Sequence, residues 1–132
     1  MFLNQLSAEE KKAFANLSVQ VAKANGEVAE EEKGMIREYC KEMEIPVISL
    51  DDVWPMDKII SVFSDSNMHV KRIVLLETLG LVYADGNYDE AEQGMVKDYA
   101  EQIGLSSADV EEQTDLIKRY IELLKEIAMA VD

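Results

Sequence analysis

Residues 68–84 read Met68-His69-Val70-Lys71-Arg72-Ile73-Val74-Leu75-Leu76-Glu77-Thr78-Leu79-Gly80-Leu81-Val82-Tyr83-Ala84, and this stretch decides the fold. Apolar side chains point in nearly every direction around a 3.6-residue period, which predicts a helix buried at the centre of a bundle. Asp65-Ser66-Asn67 offers N-caps before it, and Asp85-Gly86 ends it. Gly80 costs helix propensity, so we expect another helix to cross closely there.

Outward from this centre every segment is helical in period. Ser7-Ala8-Glu9-Glu10 is a capping box for a helix whose one face carries Phe14, Leu17, Val21 and Ala24, stopped at Asn25-Gly26. A second helix is expected from about Ala29 to Met43. Glu30, Glu31 and Glu32 would complement its N-terminal dipole, and Met35 or Ile36, Tyr39, Cys40 and Met43 would be buried. Ser49-Leu50-Asp51-Asp52 is a weak signal for a helical turn, and Pro55 suits the first turn of a short helix reaching Phe63. Beyond the central helix, another spans about Asp89 to Ile103 and stops at Gly104. The last is capped by Ser106 or Ser107 and carries the stripe Leu116, Tyr120, Leu123 or Leu124, Ile127 and Val131. The fold class is all-α, one domain over residues 1–132.

Composition narrows the function. With 27 acidic and 13 basic residues in 132, the net charge is −14. It divides as −6 over residues 1–65 and −8 over 66–132, an even spread that reads as solvated helix faces. An acidic excess weighs against nucleic acid and against an anionic membrane surface. No apolar run reaches about 18 residues, so direct membrane insertion is not expected. Residues 1–6 lack a basic n-region and a long apolar run, and the lone Cys40 cannot pair internally, which makes the cytoplasm the expected compartment.

A shift of 60 places lays residues 24–39 on residues 84–99 without a gap, with 7 of 16 positions identical: Ala, Gly, two Glu, Gly, Met and Tyr. Coincident glycines and glutamates exceed what two amphipathic helices share by period alone. We read two copies of a helix–(Asn/Asp)-Gly–helix hairpin, over about 10–45 and 70–105, packed face to face. Gly34 and Gly94 fall at matched places inside helices, where close helix contacts are expected.

Val82-Tyr83-Ala84-Asp85-Gly86 with Glu90 and Glu92, and the weaker Val21-Ala22-Lys23-Ala24-Asn25-Gly26 with Glu30 and Glu32, resemble the TerB-like family. This is the tellurite-resistance-associated helical domain also found at the start of a DnaJ-type co-chaperone. The resemblance implies about seven helices, acidic sites suspected of metal binding, a place in stress-response complexes and no enzymatic activity. Asn25 departs from the motif by replacing its acid.

Asp85, Asp89, Glu90 and Glu92 cluster at the second helix junction, and Asp85, Asp89 and Glu92 are the candidate ligands for Ca²⁺, Mg²⁺ or Mn²⁺. The segment does not follow the EF-hand: counting from Asp85, position 6 is Glu90 instead of Gly and position 12 is Val96 instead of Glu. The competing reading, which takes precedence, gives Asp89 to Glu92 the work of capping the next helix. His69, the single histidine, has no second His or Cys beside it for zinc, and Cys40 reads as a buried thiol. Trp54, between Val53 and Pro55, is a candidate partner-binding anchor, against the alternative that it plugs the end of the core. No nucleophile–base motif, phosphate loop or Cys/His cluster supports an enzyme. The sequence therefore points to a non-enzymatic interaction domain with a protein partner, monomeric or weakly homodimeric. The alternative is a purely structural or oligomerising module that uses Trp54 or the last helix as its contact.

Overall fold

A computed structural model describes residues 1–84 and 89–132. They form a 3₁₀ turn, Leu3–Gln5, followed by α1 (Ala8–Ala22), α2 (Glu30–Glu42), α3 (Met56–Ser64), α4 (Met68–Val82), α5 (Glu90–Gln102) and α6 (Ser107–Ala130). No strand occurs among the described residues. The all-α bundle is as expected, with six α-helices against the roughly seven that the family resemblance implies.

Helix starts follow side-chain chemistry. Ser7 Oγ accepts from the Glu10 amide (3.2 Å) while Glu10 Oε1 accepts from the Ser7 amide (2.9 Å). Asn67 Oδ1 caps α4 through the Val70 amide at 2.9 Å, and Ser106 with Asp109 forms the box that opens α6. Pro55 is the N-cap of α3 instead of its first-turn residue. The helical turn expected at 49–52 is absent: Ser49 Oγ accepts from the Asp51 amide at 3.2 Å, a local bond that competes with helix formation.

Helices α2 and α5 end alike. The Ile45 amide reaches back to Cys40 O (3.0 Å) and the Leu105 amide to Ala100 O (2.9 Å), the six-to-one bond of a Schellman motif. That motif needs a left-handed residue. Gly104 provides it at φ 99° without penalty, whereas Glu44 adopts φ 56° against the preference of an L side chain. The bounds of α4 and α5 lie 60 residues beyond those of α1 and α2.

The core sits between α1 and α4. Helix α4 is buried as expected. Helix α1 departs from the one-faced reading, because every residue from Ala13 to Val19 is buried. Small side chains explain the difference. Ala13, Ala15 and Ser18 are buried although they carry little apolar signal, α1 packs on α3 as well as on α4, and the Ser18 hydroxyl donates to Ala15 O at 2.7 Å. The N-terminal segment, unassigned by its sequence, inserts Leu3 and Leu6 into the same core.

The interior glycines separate into two cases. A methyl on Gly80 would meet Ile117 Cδ1 and Tyr39 Oη at 4.0 Å, so α6 and α2 do approach there. Gly34 and Gly94 do not mark close crossings: a methyl on Gly34 would meet only the Arg37 guanidinium, and one on Gly94 would meet nothing within 4 Å. Gly94→Ala is therefore expected to stabilise the protein, by up to about 1 kcal/mol from helix propensity. Urea denaturation checks it, and a loss of stability would show that position 94 is sterically constrained.

Candidate functional site

Asp85 lies outside the described residues, so the proposed cation site is represented by Asp89 and Glu92. Asp89 is the N-cap of α5. Its Oδ1 accepts from the Glu92 amide and its Oδ2 from Asn25 Nδ2, both at 2.9 Å. These bonds, the Glu92 amide first, hold the Asp89 carboxyl below the usual carboxylate range. The Asn25 that breaks the family motif thus ties the first hairpin's turn to the second hairpin's cap. Glu92 is buried, as is its counterpart Glu32, whose Oε1 accepts from the Ala29 amide at 3.0 Å. Among the described residues no group of three or more His, Cys, Asp or Glu converges as a metal site would require. Glu90 faces solvent.

Trp54 is half-buried against the core. Asn16 Oδ1 accepts from its amide (2.8 Å), Gln20 Nε2 donates to its carbonyl (2.7 Å), and the Lys58 ammonium stands 3.8 Å from its ring centroid. His69, exposed, faces Gln5 Oε1 at 2.7 Å, and Cys40 is a buried free thiol.

The feature that stands out in the structure is the last helix. Its stripe is the surface that the alternative sequence reading takes as a contact. Only Val110 and Ile117 of α6 are buried, and Tyr120, Leu124, Ile127 and Val131 are 43, 45, 53 and 82% exposed. From residue 118 to the end every residue but Ile121 is exposed. The physical reason is reach. A helix of 24 residues extends about 36 Å, and α6 packs mainly on α4 and α5, so its second half overhangs them.

Between this overhang and the bundle runs a groove of about 560 Å³. Its walls are Ile117, Ile121 and Leu124 on one side and Met35, Leu76 and Gly80 on the other. Polar groups at its floor are already engaged. Glu77 accepts from the Met1 amine at 2.7 Å and from the Phe2 amide at 3.3 Å, and Tyr39 Oη donates to Glu77 O at 3.0 Å. Burial first, then the nearby Glu77 and Glu42 carboxylates, push the Tyr39 phenol well above its ordinary value, so it stays neutral. What the groove presents is apolar surface. Hollows beside Lys97 and Glu111 are rimmed by charged and hydroxyl side chains instead. The groove residues escape a sequence reading because they are distributed over three helices.

The α6 face repeats at three and four residues: Ile117, Tyr120, Leu124, Ile127, Val131, the a/d spacing of a helix that packs on another helix. Leu116, Ile121, Leu123 and Ala128 widen it, while Arg119, Glu122 and Glu126 keep to the opposite side and Lys125 borders the groove. No helix among the described residues is long and apolar enough to cross a membrane. No family model matches the chain, and comparison with the curated proteins and with the solved structures gives no significant match.

Proposed function

We propose that this chain is a non-enzymatic, TerB-like interaction domain of a stress-response complex, and that its contact surface is the second half of α6 with the adjoining groove. The observation that carries the reading is the exposed apolar face from Tyr120 to Val131 beside that groove. Soluble monomers rarely expose contiguous apolar patches beyond a few hundred Å², and larger ones mark interaction sites. The 60-residue offset between the bounds of α1–α2 and of α4–α5 supports descent from a duplicated hairpin, the layout on which the TerB-like reading rests. The interaction role needs no metal at Asp89, whose two oxygens already serve the α5 cap and Asn25.

Site-specific photo-crosslinking in cells tests the surface. A benzophenone side chain at Leu123 (53% exposed) is expected to trap a protein adduct, and one at the equally accessible Val47 (62% exposed) is expected to trap none. Equal absence of adducts at both positions would overturn the reading.

A further inference from the structure

We infer that the occupant of the α6 face is a second copy of this chain, packed about a two-fold axis so that the two α6 overhangs lie antiparallel along each other's grooves. This rests on the interaction surface proposed above and names its partner.

Four observations on this surface converge. The first is charge. Residues 119–132 carry Arg119 and Lys125 against Glu122, Glu126 and Asp132, a net of 2 − 3 = −1, so the remaining residues carry −13 of the −14. Two such chains repel least where these overhangs meet. A basic protein partner would find its complement on the body and not on this helix. The second is sign alternation. Arg119, Glu122, Lys125 and Glu126 carry both signs interspersed along the overhang, so neither a strongly acidic nor a strongly basic partner is favoured there.

The third is area. Leu116, Tyr120, Leu123, Leu124, Ile127 and Val131 are each 43–82% exposed and adjoin the groove, an extended surface of the kind that a stable interface of about 800 Å² per partner needs. The fourth is helix stability. About three turns that overhang their own domain gain little core packing there, and a packed partner adds to their stability. Small residues, Gly80, Ala84 and Ala128, line the groove between larger ones, which leaves room for side chains of a partner helix. A lipid surface is the weaker fit, because interfacial helices draw on Lys and Arg to reach anionic headgroups, and this one has two.

Sedimentation equilibrium on the full chain, from about 1 to about 300 µM, tests the pairing. The expected mass at high concentration is 29.8 kDa, twice the 14.9 kDa of one chain. Leu124→Glu with Ile127→Glu is expected to raise the dissociation constant at least about 30-fold, the loss of one hot spot. Val47→Glu should leave it unchanged. All three positions are exposed, and far-UV dichroism of the dilute proteins should confirm an unaltered fold. A wild-type mass that stays at 14.9 kDa throughout overturns the inference, as does a dimer indifferent to the α6 changes. A monomer whose Leu123 crosslinks to a different protein refutes self-pairing and leaves the interaction surface standing. A monomer with no adduct at Leu123 removes both.

Discussion

Phe14→Ala is expected to lower the free energy of unfolding by about 3–5 kcal/mol, the cost of emptying a large aromatic site that cannot collapse. Phe14 is fully buried, and its ring meets Tyr39 edge to face with centroids 5.2 Å apart and planes at 71°. Helix α1 is held by α3, α4 and α2 together, so no neighbour is free to move into the space left behind. Against a typical total of about 5–15 kcal/mol, such a loss takes a third or more of the stability. Guanidinium denaturation should show the midpoint falling with an unchanged slope. A loss below about 1 kcal/mol would mean that α1 is not the packed centre that its burial indicates.

Asn16→Leu should cost about 1–3 kcal/mol, because it removes an acceptor from a partly buried amide. Asn16 sits in the middle of α1, 5% exposed, with Nδ2 donating to Lys12 O at 2.8 Å and Oδ1 accepting from the Trp54 amide at 2.8 Å. Together with Gln20 it holds the Trp54 backbone at both its amide and its carbonyl, and this fixes Val53 and Trp54 against the core. Leucine fits a helix well, so helix propensity does not account for the loss. Since Trp54 is the single tryptophan, its fluorescence reports the outcome directly. The emission should shift to the red and quench more readily with acrylamide. An unchanged spectrum would show that the ring is held by Lys58 and the core without the backbone bonds.

Local chemistry accounts for what the sequence disclosed. The helix bounds around Ser7, Asn67, Ser106, Gly26 and Gly104 are set by caps and left-handed residues within a few positions, so short patterns suffice to place them. What it left undisclosed is of another kind. An apolar stripe on α6 announces that a face must be covered but not which surface covers it, and here the bundle ends before the stripe does. Gly34 and Gly94 look like crossing points in one dimension, yet a methyl on Gly34 would touch only an Arg37 side chain and one on Gly94 would touch nothing. The all-round burial of α1 was hidden because Ala13, Ala15 and Ser18 carry little hydrophobic signal. Asn16 reads as a surface residue until the fold brings Trp54 to it across 38 positions. The groove is a product of α2, α4 and α6 together, and no one segment contains it.

The central place of α1 has a consequence for synthesis. Its most extensive packing is with α3 and α4, and its packing with the adjacent α2 is lesser. Of these six helices, the first to be synthesised is thus the one whose partners are made later. At about 5–20 residues per second, the interval between the end of α1 and the end of α4 is about 3–12 s. Through that time Phe14, Leu17 and Val21 have no finished surface to enter, and the small residues of α1 keep the nascent helix only mildly sticky.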